Sequence, residues 1–404
     1  MRQDLSRARW QALRLALGTA SALGLARFAY GLLLPAMRDN LHWTLADAGT
    51  MSAANGLGYL LGALATPVVR RRLGTAATFR SGMVLTAIAL AATPLGGDHL
   101  ALLTARVVAG AAGALVFVTG GVIAARIATG ISSGMPIAVY FAGTGLGIVF
   151  CGVTIPALGD RWQLAWVCLS VAAGLAALVS WSAARIDEDA EEDGPASATP
   201  AGHRPVRPLS RTAVAYLLFA AGYITYITFL SAYLADRYAP VSQVTFTWTA
   251  LGLAVMAAPF LWSRPITHWP GSRALAALLA ILAGGAALPL MSPAEPVILA
   301  SAIVYGATFM GVPAAVTALI KAAVSPARWT AALAAFTTLF AAGQTAGPWL
   351  AGLLADRTST GATLAWTAIL CAAAALIATI GNRSRLSTAP STTSQPGGVI
   401  ETDA

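Results

Sequence analysis

The sequence predicts an all-α membrane protein whose helices cross the bilayer about twelve times. Three observations predict it. Of the 404 residues, 57% are hydrophobic and only 10% are charged, a balance that a water-soluble surface does not tolerate. Charged residues gather in clusters roughly 20 to 30 residues apart, the length of one membrane crossing. Basic residues also fall mostly on one side of the predicted spans.

Long apolar windows place these spans along the chain, six before one long polar segment and six after it. The predicted spans are 13 to 37, 46 to 69, 74 to 95, 99 to 125, 131 to 157, 162 to 184, 210 to 235, 243 to 263, 272 to 292, 295 to 321, 328 to 354 and 362 to 382. A helix of about 20 residues crosses the hydrocarbon core. The predicted domains are therefore two parallel six-helix halves, residues 1 to 184 and 210 to 384.

The polar segment over residues 185 to 209 joins the two predicted halves. It carries an acidic run from Asp187 to Asp193 and then four prolines. Such a composition has too little apolar surface to fold by itself. We predict a disordered cytoplasmic linker here and a disordered cytoplasmic tail over residues 385 to 404.

Orientation follows from the basic residues, because cytoplasmic loops retain Lys and Arg. With the N-terminus inside, nineteen of the 25 basic residues lie on the inner side, and Arg27 and Arg106 lie within spans. Only four lie outside, and these are Arg38, Arg161, Arg237 and Arg357. This alternation predicts an even number of spans with both termini in the cytoplasm. The expected location is the inner (plasma) membrane of a bacterium.

An internal repeat supports the same division. Spans five and six contain GTGLGIVFCGVTIPALGDRWQLAW, and spans eleven and twelve contain GQTAGPWLAGLLADRTSTGATLAW. Gly143 matches Gly343, and Asp160 matches Asp356. Tandem six-span halves with the same membrane orientation are the parallel repeat of a common transporter architecture.

Several other classes of protein are not expected. The basic residues are dispersed among short loops, which does not favour nucleic-acid binding. Cys151, Cys168 and Cys371 lie in apolar stretches and are interpreted as packing residues. The first apolar run extends past Pro35 without a cleavage pattern, so we interpret it as a retained span. No catalytic set, phosphate loop or metal spacing emerges, so neither an enzyme nor a cofactor is predicted.

Two arginines within spans are the first candidates for a functional site. Arg27 lies deep in span one, where a guanidinium is unfavourable and rarely faces lipid. It could reach the interface or pair with carbonyls of a neighbouring helix, but its depth favours a polar cavity. Arg106 lies in span four beside Gly110 and Gly113, which suit close helix packing. Substrate contact and structural gating fit Arg106 equally well.

The distribution of carboxylates favours an anionic small molecule. Each of the sixteen acidic residues falls in a loop, a tail or a span end, whereas a site for a cation commonly needs a buried carboxylate. Arginine stays protonated at physiological pH, so neither buried arginine can be a proton carrier. If protons are coupled, a rim carboxylate or the acid group of the substrate must carry them.

Neutral polar residues complete the predicted site. Tyr223 is a further neutral polar residue, in span seven. Candidate substrate-binding residues are Arg27, Tyr30, Asn55, Tyr59, Arg106, Tyr140, Tyr226, Tyr305 and Gln344. Candidate gating or coupling residues are Arg106, Gly110, Asp160 and Asp356. We interpret Tyr216, Tyr233 and Tyr238 as interfacial anchors, a common role for tyrosines near span ends.

Twelve spans, a cytoplasmic linker and these glycine motifs resemble the major facilitator superfamily over nearly the whole chain. LARFAYGLLLPAM followed by ADAGTMSAANGLGYLLGAL resembles its YbfB/YjiJ-type branch, in which an arginine-phenylalanine-aromatic element precedes an alanine-asparagine-leucine-glycine-tyrosine-like second helix. The helix-four motif of the superfamily matches Leu102, Arg106, Gly110 and Ala112. In proton-coupled relatives this arginine is associated with proton transfer.

The match to other motifs of the superfamily is incomplete. The loop motif between helices two and three matches Gly62, Leu64 and Ala65, but Thr66 stands at its aspartate position. The usual charge-relay latch is therefore not expected. The glycines of helix five resemble the antiporter signature only loosely, which weakens an assignment to drug antiport.

The resemblance implies a monomeric transporter that works by alternating access. Helices one, four, seven and ten of such proteins line the cavity, which would bring together Arg27, Arg106, Tyr226 and Tyr305. The favoured function is secondary transport of a small organic anion or related metabolite, with proton coupling expected. Proton-antiport efflux of amphipathic compounds and a non-transporting membrane sensor are the alternatives.

Overall fold

The computed structural model describes residues 2–185 and 209–386. Every regular element within these two ranges is a helix, so the all-α prediction is confirmed for them. The predicted linker (185 to 209) and tail (385 to 404) lie outside the described residues over 186–208 and 387–404. The first two residues of the predicted tail belong to the last helix, Gly361–Leu386.

Within each of the two described ranges, the helices follow one another with short connections. They are α1 (Arg2–Thr19), a π-helical segment (Ala20–Phe28), α2 (Ala29–Leu41), α3 (Leu45–Ala92), α4 (His99–Gly130), α5 (Met135–Thr154), α6 (Trp162–Ser180), α7 (Ser210–Ala235), α8 (Val241–His268), α9 (Arg273–Met291), α10 (Glu295–Phe309), α11 (Gly311–Ala323), α12 (Trp329–Asp356) and α13 (Gly361–Leu386).

Ten helices in the described part of the chain are long and apolar enough to cross a membrane. The first predicted span corresponds to a continuous rod made of α1, the π segment and α2. The tenth predicted span is divided between α10 and α11. The count of twelve crossings and the division into two six-helix halves stay predictions.

The second and third predicted spans together form the single element α3, which is interrupted once. At 1.5 Å per residue, its 48 residues would extend about 72 Å, more than twice the bilayer core of about 30 Å. At Gly74 the backbone leaves helical geometry, with φ 80° and ψ 166°. Glycine has no Cβ and tolerates this positive φ. The interruption lies directly after Leu73 and the basic cluster, where the sequence predicts the loop.

The repeated sequence packs in the same way in both places. A Cβ added at Gly147 of α5 would collide with the carbonyl oxygen of Ala20 in the first rod. A Cβ added at Gly347 of α12 would collide with the carbonyl oxygen of Ala221 in α7. The absence of side chains at these glycines lets each helix pair approach closely. The packing therefore follows the internal repeat.

Polar contacts mark the two ends of the bundle. At one end, Arg14 Nε donates to Val179 O at 2.7 Å and Arg80 Nε donates to Trp181 O at 2.9 Å. At the other end, Arg38 Nη2 lies 3.5 Å from Asp236 Oδ1. We call the latter the Asp356 end, because α12 ends there at Asp356 while α3 begins there at Leu45.

Some predictions about single residues need correction. Tyr216 and Tyr233 are 8% and 1% exposed, so the interfacial-anchor prediction is wrong for both, whereas Tyr238 is 95% exposed. Cys151 and Cys371 are buried as packing residues would be, but Cys168 is exposed on α6. The packing interpretation therefore fails for one cysteine of the three.

Candidate functional site

The first rod changes its helical type around Arg27. All nine residues of the π segment Ala20–Phe28 are buried, and Arg27 lies in its last turn. The backbone N–H of Ala29 donates to Gly24 O, a spacing of five residues. Single π turns inside α-helices occur frequently at functional sites. The π segment therefore marks this level of the rod as the place to look for a site.

The guanidinium of Arg27 joins the first rod to α12. Its Nη2 donates to Gln344 Oε1 at 2.5 Å. The hydroxyl of Tyr223 in α7 donates to the same oxygen at 3.1 Å. The side-chain amide nitrogen of Gln344 lies 3.5 Å from Gly56 O of α3. Three helices and the rod thus meet at one polar cluster.

Aromatic rings surround the same guanidinium. Arg27 Cζ lies 5.5 Å from the ring centroid of Tyr59, 5.9 Å from that of Tyr223 and 6.0 Å from that of Phe28. Ring faces attract a cation through their quadrupole, and this attraction grows when water is excluded. Arg27 is only 7% exposed. The rings therefore stabilise the charge in part without neutralising it.

The charge of Arg27 is left without an anionic partner. Its Nε is buried and has no hydrogen-bond acceptor. Among residues 2–185 and 209–386, no carboxylate contacts the guanidinium of Arg27 or of Arg106. A buried charge is costly unless it is paired. This cluster can therefore accept an anion.

Arg106 makes contacts of a different kind. Its Nη1 donates to Ala26 O at 2.6 Å, within the π segment and one residue before Arg27. Its Cζ lies 4.9 Å from the ring centroid of Tyr30 and 5.6 Å from that of Trp166. The partner of Arg106 is thus the backbone that carries Arg27. This geometry suits a residue that positions the π segment.

Two predicted site residues connect this second cluster to α3. The amide of Asn55 donates to Arg106 O at 3.2 Å, and the hydroxyl of Tyr30 donates to Ala48 O at 2.8 Å. A Cβ at Gly110 would collide with Asn55 O. Each polar group therefore ends on a backbone carbonyl, and Gly110 allows α3 and α4 to approach closely.

Tyr226 and Tyr305 form a stacked pair next to Tyr223. Their ring centroids lie 3.8 Å apart with an interplanar angle of 15°. The hydroxyl of Tyr226 lies 2.7 Å from Ser301 Oγ, and the hydroxyl of Tyr305 donates to Tyr223 O at 2.6 Å. Both hydroxyls are therefore satisfied, and Tyr305 holds the backbone that positions Tyr223.

Sequence reasoning included Tyr223 among the polar residues but not among the site candidates. It also left out an aromatic face of α7 made by Tyr216, Phe219, Tyr223 and Tyr226. The spacing of these residues, three, four and three, is that of one helical face. That periodicity was visible in the sequence and could have identified the face.

Tyr140 lies apart from the cluster. Its hydroxyl donates to Val116 O at 2.9 Å, and its side chain is fully buried between α4 and α5. A Cβ at Gly120 would collide with this ring. Tyr140 therefore packs α5 on α4, and the structure does not bring it to Arg27.

The matched aspartates Asp356 and Asp160 have different surroundings. Asp356 accepts hydrogen bonds from Leu45 N at 2.7 Å and Ala46 N at 2.9 Å, at the beginning of α3. Backbone N–H groups at a helix N-terminus lack helical partners and favour negative charge. Both aspartates are exposed, but Asp160, on the connection between α5 and α6, has no such backbone donors among the described residues. Only Asp356 of these two therefore ties α12 to α3.

A comparison with protein families bears on this arrangement of helices and arginines. The family model described as "Uncharacterised MFS-type transporter YbfB" matches residues 19–382. The chain belongs to this family. It is therefore a multi-pass membrane transporter of the major facilitator superfamily, as the resemblance implied. The matched range contains every residue of the Arg27 and Arg106 clusters. A search of curated proteins gave no match.

Solved structures of other MFS transporters are similar to this one in fold. A mutant of the nucleoside transporter NupG has a TM-score of 0.71 at 14% identity, covering 93% of this chain and 99% of its own. A bacterial homologue of the human lysosomal transporter Spinster, inward-facing and occupied, has a TM-score of 0.67 at 16% identity, covering 96% and 98%. The human organic anion transporter MFSD10 has a TM-score of 0.64 at 15% identity, covering 92% and 99%.

Proposed function

We propose that this transporter carries a small organic anion by secondary active transport with alternating access. The observation that supports this most is the buried guanidinium of Arg27, whose Nε lacks an acceptor and whose Nη2 donates to a side-chain oxygen. Arg106 Nε also lacks an acceptor, but its Nη1 donates to the backbone of the π segment. The contacts of Arg27, an amide oxygen and three ring faces, are all neutral. Binding an anion there would supply the missing counter-charge in a site of low dielectric, where such an interaction is strong.

In this proposal the two arginines have separate roles. Arg27 binds the anionic group together with Gln344, whereas Arg106 holds Ala26 and so positions Arg27. The Arg27 bond crosses from the first rod to α12, so it breaks or forms as the two predicted halves move. Occupancy of the site is thereby linked to the movement.

The Asp356 end would be the closed outer gate. The positive-inside rule, applied to the nineteen inner basic residues, places this end outside and both termini in the cytoplasm. Three contacts join the predicted halves towards that end: Asp356 to Leu45 N, Arg38 to Asp236, and Ser52 Oγ to Thr228 Oγ1 at 2.8 Å. Alternating access then requires these contacts to separate.

Proton coupling in a bacterial inner membrane and a monomeric state complete the proposal. Asp356 is the rim carboxylate best placed to couple, because its charge helps to hold the gate. Of the structurally similar proteins, MFSD10 is an organic anion transporter and NupG is a nucleoside transporter. At 14–15% identity these proteins support the fold, so the choice of an anion depends on Arg27.

The experiment begins with a thermal-shift screen of organic anions on the purified full-length protein, because a ligand of the native state raises Tm. Transport of a hit is then measured in proteoliposomes for the wild type and for Arg27→Gln. We expect Arg27→Gln to remain folded and to lose transport and the thermal shift. The control is Arg161→Gln, which removes an exposed arginine outside the spans. Wild-type transport by Arg27→Gln would disprove the proposal.

A further inference from the structure

The rings next to Arg27 share nearly one orientation. Interplanar angles are 11° for Tyr216 with Phe219, 20° for Phe219 with Tyr223 and 24° for Tyr223 with Phe340. Their centroids lie 5.0–6.1 Å apart, which is the range of offset stacking. These four side chains of α7 and α12 form what we call the ring wall, in which Phe340 of α12 stacks on the rings of α7.

Further rings lie across from the ring wall. Tyr59 of α3 meets Phe117 of α4 at 6.2 Å between centroids. The guanidinium of Arg27 lies near the faces of both Tyr59 and Tyr223, which belong to different predicted halves. Flat aromatic surfaces therefore stand on both sides of the charged group.

Some of these rings are not sealed by their neighbours, although Tyr216, Phe219 and Tyr223 are buried. Tyr59, Phe117 and Phe340 are only half-buried. The Tyr226 and Tyr305 rings, by contrast, are fully buried and close on each other at 3.8 Å. The half-buried rings therefore retain surface that a flat molecule can cover, whereas the stacked tyrosine pair does not.

Orientation distinguishes these rings from an ordinary apolar lining. A site that only needs to bury an aliphatic chain gains equally from Leu, Ile or Met, because the hydrophobic effect is not directional. Parallel ring faces add an interaction that depends on the shape and electron distribution of the ligand. The additional selectivity is for a planar π system next to the anionic group.

We infer that the transported anion is aromatic: its charged group meets Arg27 and Gln344, and its planar ring lies against the half-buried ring of Phe340. This inference rests on the proposed function, since it assumes that Arg27 binds the substrate. It adds that the uncharged part of the substrate is an aromatic ring.

The test measures the binding of three matched probes to the full-length protein by calorimetry. They are 2-naphthoate, its saturated analogue decahydro-2-naphthoate, and the neutral 2-naphthamide. The saturated acid has the larger apolar surface, so hydrophobic burial by itself favours it. Stacking reverses the order, and we expect 2-naphthoate to bind at least about fivefold more tightly. The amide should bind more weakly than either acid.

The outcomes distinguish the aromatic inference from the anion-transport proposal on which it rests. Equal or tighter binding of the saturated acid, or no binding of any probe, overturns the aromatic inference. If the acids bind equally and the amide does not, the anion proposal stands while the aromatic inference fails. If the amide binds as tightly as 2-naphthoate, the anion proposal itself fails.

A variant tests the location of the aromatic ring. Phe340→Leu keeps an apolar side chain but removes a ring face, and it should bring the ratio of the two acid affinities close to one. Phe246→Leu is the matched control, because Phe246 is 60% exposed on α8, and its ratio should equal that of the wild type. An unchanged ratio in a folded Phe340→Leu protein overturns the placement. The probe comparison on the wild type remains decisive if that variant does not fold.

Discussion

Arg27 and Gln344 are hydrogen-bonded partners separated by 317 positions in the chain. One lies in a π segment of the first rod and the other in the middle of α12. Gln344 also accepts from Tyr223 and approaches Gly56, so α3 and α7 share the same cluster. The neutral oxygen of Gln344 therefore lies beside the guanidinium, at the position where an anionic group would bind most strongly.

Gln344→Glu should weaken anion binding while the protein remains folded. The new carboxylate would lie where Oε1 now lies, 2.5 Å from Arg27 Nη2, and would pair with the guanidinium. A charge-assisted pair of this kind competes directly with a ligand anion. We expect the Kd of an anionic ligand to rise at least about tenfold, or 1.4 kcal/mol, measured by calorimetry.

The control for this variant is Gln344→Met, which keeps a similar length and carries no charge. It should weaken binding much less, because Arg27 remains free to pair with the ligand. Equal losses in Gln344→Glu and Gln344→Met would contradict a role of Arg27 as the anion-binding charge.

Arg106→Gln should reduce stability more than Arg27→Gln does. Arg106 donates to Ala26 O, and its removal leaves that buried carbonyl without this donor. Loss of a hydrogen bond from a charged donor to a buried acceptor costs about 1 to 3 kcal/mol. We expect a lower Tm for purified Arg106→Gln in detergent. A variant with the Tm of the wild type and a selective loss of ligand affinity would instead show direct substrate contact.

Asp356→Asn should open the outer gate more often. The amide keeps one acceptor oxygen but loses the charge that faces the N-terminus of α3. Loss of a favourable charge at a helix N-terminus shifts the equilibrium about fivefold. A cysteine at Ser52, which is buried against Thr228, should react correspondingly faster with an impermeant maleimide in a background without the native cysteines.

Asp160→Asn provides the matched control for the gate. Asp160 occupies the equivalent place in the repeat and is exposed like Asp356, but its carboxylate accepts no hydrogen bond from a helix N-terminus in the described part of the chain. Its replacement should leave the labelling rate at position 52 unchanged. A similar acceleration in both variants would show that Asp356 is no more part of the gate than Asp160 is.

Gly347→Ala should destabilise the fold although alanine is the better helix former. Its Cβ would collide with Ala221 O of α7, so α7 and α12 would have to separate. Overpacking of this kind typically costs about 1 to 3 kcal/mol. The melting temperature in detergent should fall. Gly284→Ala in α9, where no atom lies within 4 Å of the added Cβ, should leave it equal or higher.

The contribution of the sequence is clearest for the arginines. A guanidinium about fourteen residues into an apolar span predicted a polar site at Arg27, and the structure places it in the central cluster. For Arg106 the sequence left substrate contact and structure equally open. The bond to Ala26 favours positioning, and that partner lies 80 positions away. Hydropathy describes the cost of burying a charge and contains no information on its partner.

The tyrosines show why some predictions failed. Tyr140 and Tyr226 are the same residue type within apolar helices, yet one packs α5 on α4 and the other stacks on Tyr305. The difference depends on which face of each helix meets a neighbour. Tyr216 lies near the beginning of α7, as an interfacial tyrosine would, but it turns inward to stack on Phe340 at 5.1 Å.

The sequence by itself determined the solvent, the helical class and the family. Composition decides whether lipid can surround the chain, and backbone polar groups in lipid must then bond within helices or closed barrels. The long continuous apolar runs select helices. Short motifs around Arg27 and the glycines carried the resemblance to the family. Only the tertiary structure decided that Arg27 meets Gln344, that Arg106 holds the π segment, and that Asp356 rather than Asp160 ties α12 to α3. These pairings depend on the rotation and depth of packed helices, which close contacts between distant residues determine.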